Sequence, residues 1–313
     1  MRRITLVGCI LLAGCSRTPE AKPSAPLAKE PARIDPYFDE AFWKVWGDGQ
    51  AELSTYNLTF PRYGQLRKGV ANAIFVTEPF SNTLRVKADP GKHGPSDEFP
   101  VMKLNLVKDY QTGVYDYNDM LSVFVALAPV NGRPSATATK ASFSSQEWCG
   151  HVYSQVLFGD TQLRWTRHSY FDGAADQNGT LSYPEGGLTE DTLFLWARGM
   201  ARPWLKMGES ADVRVLTSLE TSRGKHIPLT WSRGKLSRGP GPKDAEVMKL
   251  QRADGSWRAF HVEKAAPHRI LRWETSEGEK AELLGSDRMK YWQMNQEGGE
   301  KALSRIGATP RNL

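Results

Sequence analysis

Hydrophobic residues alternate with polar ones along much of the chain, a period of two that is typical of β-strands with one buried face. In ELSTYNLTF, for example, Tyr56, Leu58 and Phe60 fall on one face. The same alternation, or a short apolar run, marks VANAIFVT, LRVKA, VMKLNLVKDY, MLSVFVAL, QLRWTRHSYF and MKYWQM. In the last third, Asp-Gly at 254–255 and Glu-Gly at 277–278 predict two tight hairpins. The pattern therefore predicts a long series of antiparallel strands.

Three segments depart from this period and predict helices. An aspartate and a proline at 35–36 are favourable at a helix start, and Phe38, Phe42 and Trp46 then recur every fourth residue. We expect this aromatic stripe to pack in the core. Thr189 is the predicted N-cap of the segment EDTLFLWARGM, whose first two residues are acidic. The segment EKALSRI predicts a short amphipathic helix near the end of the chain.

Together these elements predict a mostly-β or α+β fold. We expect an antiparallel curved sheet or open barrel, built as a β-meander with two or three short helices. A parallel α/β fold is disfavoured because the predicted strands do not alternate with helices. Residues 35–313 are predicted to form a single β-rich globular domain, since their number suits such a fold. A subdivision near residues 200–212 is the alternative.

The first residues, MRRITLVGCILLAGCS, have the features of a secretory signal. Two arginines precede an apolar run that is too short to remain as a membrane-spanning helix. Leu-Ala-Gly-Cys at 12–15 resembles the lipobox of bacterial lipoproteins. This resemblance implies cleavage after residue 14, a diacylglycerol on the sulfur of Cys15 and an acyl chain such as palmitate on its amino group. Residues 1–14 are thus predicted to be a lipoprotein signal peptide, and an ordinary signal peptide cut elsewhere is the alternative.

Residues 15–34 are predicted to be the lipidated cysteine followed by a tether. The segment is rich in Pro, Ala and Lys and has no apolar period, so it cannot bury enough surface to fold. The expected location is the cell envelope, with the lipid anchor in a membrane. Ser16 favours the outer membrane, because lipoproteins kept in the inner membrane often carry aspartate there. The protein would then face the periplasm or the cell surface.

Charge and cysteine content narrow the function classes further. The net charge of +6 is mild, and an exported protein is not expected to bind nucleic acid. Cys9 would leave with the signal and Cys15 would carry lipid, so Cys149 has no partner and no intrachain disulfide is expected. The fold must then depend on a large core, to which the ten tryptophans can contribute.

Cys149 is the main candidate nucleophile, in the segment SSQEWCGHVY. A catalytic thiol needs a lowered pKa, commonly from a neighbouring imidazolium. His151 could act as its base, with Gln146 and Glu147 assisting. The alternative is a buried cysteine that packs as a small hydrophobic residue. We expect the second, so no catalytic residue is assigned and enzymatic activity is left open.

A basic segment without acidic residues lies between residues 221 and 243. Its candidate contacts to an anionic lipid or envelope polymer are Arg223, Lys225, Arg233, Lys235, Arg238 and Lys243. Each basic residue near an anionic surface contributes about 1 kcal/mol; solvated basic loops are the alternative. The segment contains SRGK twice, matching the Ser-x-x-Lys of penicillin-recognising enzymes, but the companion SDN and KTG motifs are absent. The glycines predict turns at both copies.

No metal site and no cofactor are expected. The segment AADQNGTLSYPE partly matches a calcium-binding loop, but alanine replaces the first ligand. The loop 87–100, which groups Asp89, His93, Asp97 and Glu98, is a second weak candidate for metal or substrate contact. The motifs GxSxG and HExxH, a phosphate-binding P-loop and paired CxxC do not occur.

Several segments together resemble a family of uncharacterised bacterial envelope proteins, many of them predicted lipoproteins. They are FWKVWGDGQAEL, RVKADPGKHGPSDEFPVMKLNLVKDYQTGVYDYNDMLSVF, FSSQEWCGHVYSQ, YFDG and EDTLFLWARG. The family has no established activity, so the resemblance implies no functional residue. Some relatives carry the name septum formation inhibitor, of the Maf pyrophosphatase type. The Ser-x-Ser-x-x-Arg pattern of that enzyme is absent from the N-terminal part of this chain, and its activity is not expected here.

Three functional hypotheses follow. The leading one is a non-enzymatic, membrane-anchored envelope lipoprotein whose β-domain binds an apolar or amphipathic ligand or an envelope partner. The second is a thiol-dependent or metal-assisted hydrolase centred on Cys149 with a histidine partner. The third is a structural envelope spacer, which predicts no concave cavity. The sequence leaves the ligand and the oligomeric state open.

Overall fold

One large sheet dominates the computed structural model, which describes residues 38–310. Its fifteen strands are β1 (Ala51–Arg62), β2 (Gln65–Ser81), β3 (Glu98–Thr112), β4 (Tyr115–Ala126), β5 (Ala138–Glu147), β6 (Gly150–Phe158), β7 (Gln162–Ser169), β8 (Gln177–Ser182), β9 (Leu188–Thr189), β10 (Ser210–Leu216), β11 (Trp231–Pro240), β12 (Ala245–Arg252), β13 (Trp257–Glu263), β14 (Ile270–Thr275) and β15 (Lys280–Met289). The predicted signal peptide, Cys15 and the tether lie outside the described residues. Within residues 38–310, no helix is long and apolar enough to cross a membrane.

The sheet is made of two antiparallel meanders, β1–β8 and β10–β15, which are joined where β1 pairs with β15. The edge strand β9 adds to β10 in parallel orientation. The two edges of the sheet, β8 and β9, are consecutive in the chain, so residues 183–187 bring them close together. Across this gap, Nε1 of Trp231 on β11 donates a hydrogen bond to the carbonyl of Ser182 on β8 (2.9 Å). The predicted fold class, mostly β with an antiparallel curved sheet or open barrel, is confirmed.

Short helices cap and fill this sheet. They are α1 (Glu40–Trp46), α2 (Leu193–Ala197), α3 (Leu219–Lys225) and the 3-10 helices Glu190–Thr192, Tyr291–Gln293 and Gly299–Ile306. Helix α1 is capped by Asp39, which accepts the N–H of Phe42 (2.9 Å), whereas the predicted start at 35–36 lies outside the described residues. The aromatic stripe is confirmed, because Phe38 and Trp46 are buried and the ring centroids of Phe38 and Phe42 are 4.7 Å apart.

The segment from residue 190 to residue 198 runs through the interior of the curved sheet. Thr189 caps it as predicted, since its hydroxyl accepts the N–H of Asp191. Phe194 on α2 packs edge-on against Phe260 and Trp273, with ring centroids 4.9 Å and 5.1 Å apart. A buried aromatic segment of this size fills the space between the strands, so that one core extends across both meanders.

At the end of this segment, Arg198 is held by buried partners. Its guanidinium donates two hydrogen bonds to the buried carboxylate of Glu52 on β1 (2.6 Å and 2.9 Å). It also donates to the carbonyls of Pro267 and His268. A buried charge pair is tolerated where its remaining donors are satisfied in this way.

Several predicted elements are corrected by the structure. The hairpins at 254–255 and 277–278 are confirmed, but LRVKA is not a strand and MKYWQM only ends β15 before a 3-10 helix. The segment 221–243 is not a pair of loops, because it contributes to α3 and contains all of β11. Gly234 lies inside β11, where an added Cβ would be 2.9 Å from Cδ1 of Leu250. Close packing, and not a turn, requires glycine at this position.

Candidate functional site

A cavity of about 670 Å³ lies at one end of the sheet. Since neighbouring strands are antiparallel, the turns β1–β2, β3–β4, β5–β6, β12–β13 and β14–β15 all fall at this end. Helix α3 connects β10 to β11 at the same end. The volume lies in the range of small-molecule sites, about 300–1,000 Å³. The cavity is therefore the candidate site.

Charged side chains form the base of the cavity. Nζ of the buried Lys108 lies 2.8 Å from carboxylate oxygens of both Glu220 and Glu279, and Arg258 approaches Glu279 at 3.3 Å. Burial favours the neutral form of Glu279, but Lys108 and Arg258 outweigh it and lower its pKa to about 2. Nε1 of Trp273 donates to the same carboxylate (2.8 Å). The base is thus fixed by ion pairs and hydrogen bonds.

Two buried aspartates near the base are held by neutral donors. The carboxylate of Asp191 accepts the N–H of Leu219 (3.1 Å) and the hydroxyl of Thr189 (2.9 Å), and burial raises its pKa to about 7. Asp119 accepts the hydroxyl of Tyr110 (3.0 Å). Its other oxygen has no hydrogen-bond partner among the described residues, and burial raises its pKa. Neither carboxyl is as acidic as a solvated one.

Aromatic rings and arginines form the wall. The rings of Tyr110 and Tyr117 are stacked, with centroids 5.1 Å apart. The guanidinium of Arg62 lies 4.8 Å from the ring centroid of Tyr63 and 4.7 Å from that of Tyr117, and it donates to the hydroxyl of Tyr117 (3.2 Å). Such contacts hold a cation without neutralising its charge.

The hairpin tips at this end expose large apolar side chains to solvent. Tyr63, Val114, Trp148 and Tyr170 have exposed fractions of 60%, 78%, 72% and 72%. They lie at or next to the turns β1–β2, β3–β4, β5–β6 and β7–β8, respectively. Side chains of this kind on four successive hairpins give the cavity end an aromatic and apolar rim, a feature of surfaces that contact apolar groups.

The expectation that Cys149 is buried is wrong. It lies in the two-residue turn between β5 and β6, where it is exposed to solvent and lines the cavity. Glu147 accepts its N–H (2.8 Å) and raises the pKa of the thiol. Gln146 and His151 form a cross-strand pair on the outer face of the sheet. The candidate base therefore does not face the cavity, and the nearest carboxylate makes the thiol less acidic.

The six basic candidates do not form one surface. Arg223 lines the cavity, where its guanidinium lies 4.9 Å from the ring centroid of Phe171. Lys225 also lines it and forms an ion pair with Glu277. Of these two residues on α3, Arg223 lines the cavity without a carboxylate partner among the described residues, whereas Lys225 is paired.

The other four lie elsewhere. Arg233 and Lys235 are exposed on β11. Arg238 is held by the carboxylate of Glu246 (2.8 Å) and a main-chain carbonyl, and Lys243 lies in the turn between β11 and β12, at the opposite end of the sheet. Alternation along β11 separates Arg233 and Lys235 from Arg238, and the turn after β11 carries Lys243 to the other end of the sheet.

The loop 87–100 is organised by Asp97. Its carboxylate accepts hydrogen bonds from the hydroxyls of Ser81 (2.7 Å) and Thr83 (2.6 Å) and contacts Nδ1 of His93 (2.9 Å). These donors lower the pKa of Asp97. No group of three or more His, Cys, Asp or Glu side chains in the described part of the chain is arranged to hold a metal ion.

Sequence reasoning missed the residues that shape the cavity. Lys108 shares its parity with the buried Leu104, Leu106 and Tyr110 on β3. A lysine at an inward position of an apolar strand is a signal that could have been noticed. Arg62 gave no such signal, because its role depends on Tyr117, which lies on β4 and is 55 positions away in the sequence.

Comparison with known proteins assigns neither a family nor a function to this chain. No protein-family model and no curated protein matches the sequence. Among solved structures, the chain is similar to a beta-barrel-like protein of domain of unknown function DUF1849 from Brucella abortus, with 10% identity and a TM-score of 0.44. The match covers 77% of this chain and 99% of that one. The likeness is too distant to transfer a function.

Proposed function

We propose that the protein is a binding protein whose cavity takes a small amphipathic ligand. One observation carries the proposal: the cavity of about 670 Å³ is lined both by aromatic side chains, Tyr63 and Phe171 among them, and by charged groups. A wholly apolar ligand would strip water from groups such as Asp119 and Arg223 without replacing their hydrogen bonds, which is costly. A ligand with a polar part inside and an apolar part against the rim avoids this cost.

The two other hypotheses are supported less well. A thiol-dependent hydrolase needs an acidic thiol and a facing base, whereas Glu147 raises the pKa of the Cys149 thiol and His151 lies on the outer face. A structural spacer predicts no concave cavity. The cavity therefore favours ligand binding over both.

Blocking the cavity mouth tests the proposal. Gly224 on α3 lines the cavity and has open space where a Cβ would lie, so the Cβ of Gly224→Trp meets no neighbour and the indole adds bulk there. We expect calorimetric titration with dodecyl maltoside, kept below its micelle concentration, to give a Kd at least about tenfold higher in this variant. Gly239→Trp is the matched control, because Gly239 on β11 also has open space but does not line the cavity. Equal affinities in both variants and the wild type would refute cavity binding.

We also infer, from the lipobox alone, that this binding domain is attached to a membrane through lipid on Cys15. Several buried acyl chains give effectively permanent anchoring, since each methylene contributes about 0.8 kcal/mol. We expect Cys15→Ser to abolish incorporation of an alkyne-labelled palmitate and to prevent maturation of the chain. Labelling that persists in this variant would show that the anchor is elsewhere.

A further inference from the structure

Two arginines that line the cavity, and a third beside them, have no carboxylate partner among the described residues. They are Arg62 at the end of β1, Arg167 on β7 and Arg223 on α3. None of them forms an ion pair within residues 38–310. The Nε atom of each is buried and has no hydrogen-bond partner in the same range. Buried donors are normally satisfied, so three orphaned groups in one region call for an explanation.

The three guanidinium groups also act on each other. Burial, and then the charge of Arg62, lower the pKa of Arg223. Burial, and then the charge of Arg223, lower the pKa of Arg167. Arginine stays protonated in proteins, so these side chains remain as mutually repelling cations. A bound anion would relieve this repulsion.

Acidic side chains that line the cavity are already engaged. Four form ion pairs with Lys or Arg: Glu190, Glu220, Glu277 and Glu279. Two accept main-chain N–H groups at turns: Glu147 and Asp254. The remaining one, Asp119, accepts the Tyr110 hydroxyl, and burial raises its pKa. Within residues 38–310, neither Arg62 nor Arg223 forms an ion pair with any of these carboxylates.

We propose that Arg62 and Arg223 bind the oxyanion of the ligand, a carboxylate or a phosphate group. This rests on the proposed function of the cavity and names the polar part of its amphipathic ligand. A guanidinium presents parallel N–H donors that match two oxygens of such a group. Arg167 donates to Oγ of Ser222 (2.6 Å), the residue before Arg223, and thereby positions α3. The Tyr63 ring lies beside the guanidinium of Arg62, and the Tyr63 hydroxyl is 2.5 Å from that of Tyr117.

Two amphiphiles with the same chain separate this inference from the proposed function. Calorimetric titration of the full chain uses dodecyl phosphate and the uncharged dodecyl maltoside, both kept below their micelle concentrations, with inorganic phosphate as a third arm. We expect Arg223→Gln to raise the Kd for dodecyl phosphate about tenfold and to leave the Kd for dodecyl maltoside unchanged. Arg62→Gln is expected to act in the same direction. Inorganic phosphate that competes with comparable affinity would support the arginine site and identify the free anion as its ligand.

Arg233→Gln is the matched control, since Arg233 lies in the same basic segment but is exposed on β11. It should change neither Kd. If Arg223→Gln and Arg233→Gln bind dodecyl phosphate as tightly as the wild type, the oxyanion site is wrong while ligand binding by the cavity stands. If none of the three compounds binds the wild type, both proposals are wrong. A thermal unfolding midpoint for each variant confirms that the comparison is made on folded protein.

Discussion

The direction in which the pKa of a buried acidic side chain shifts depends here on whether a cationic side chain contacts it. Glu279 contacts Lys108 and Arg258, and its pKa falls to about 2. Asp191 is as deeply buried but is held by the Thr189 hydroxyl and a main-chain N–H, and its pKa rises to about 7. The same burial thus gives opposite results, because only one of the two acids gains a compensating charge.

Asp191→Asn should change how stability depends on pH. In the unfolded chain an aspartate titrates near pH 4, so between about pH 4 and 7 the folded wild type binds this proton more tightly and loses stability as the pH rises. The asparagine variant lacks this loss. We expect its free energy of unfolding, relative to wild type, to increase by about 2 kcal/mol from pH 5 to 7 and then to level off. Urea denaturation at several pH values measures this; parallel pH profiles would contradict it.

Cys149 should be accessible but weakly nucleophilic. Because it is exposed, iodoacetamide should modify it in the folded protein without denaturant, as peptide mass mapping would show. Because Glu147 raises the pKa of the thiol, the rate should increase with pH later than it does for free cysteine, near pH 8.5. Glu147→Gln should shift this profile to lower pH. A profile that is unchanged in the variant, or a wild-type thiol already reactive at pH 6, would contradict the assignment.

At the scale of elements, sequence patterns fail to predict those elements that depend on tertiary packing. The strand period, both C-terminal hairpins and the Thr189 cap could be predicted, since each depends on neighbours in sequence. Strand β11 and helix α3 could not, because the glycines at 224 and 234 indicate turns in isolation. Glycine is needed at position 234 of this strand because Leu250 on β12 and Val215 on β10 leave too little room for a Cβ. Cys149 was expected to be buried because the tight turn that exposes it leaves no local signal.

Gly234→Ala should destabilise the sheet. Its Cβ would lie 2.9 Å from Cδ1 of Leu250 and 3.1 Å from Cγ2 of Val215, and overpacking of this kind costs about 1–3 kcal/mol. Gly239→Ala, in the same strand with open space at its Cβ, is the control and should be neutral or slightly stabilising. Urea denaturation compares the two variants with the wild type. Equal stabilities for both variants would show that β11 does not pack as described.

At the scale of the whole molecule, the order of strands builds the site. Two antiparallel meanders joined at β1 and β15 place alternate turns at one end, and the interior segment 190–198 fills the space below them. Arg62 and Arg223 are 161 positions apart in the sequence yet line one cavity. The fold class could be predicted from local patterns, whereas the cavity depends on a register between distant strands that no local pattern contains.

Mapping where a ligand is held tests the central claim most directly. A dodecyl phosphate with a photoreactive diazirine at the end of its chain can be crosslinked to the full chain, and the modified peptides identified by mass spectrometry. We predict adducts on the hairpin tips around the cavity, chiefly at Tyr63, Trp148 and Tyr170, with competition by unlabelled dodecyl phosphate. Adducts confined to the outer face of β11 or to the opposite end of the sheet would contradict binding in the cavity.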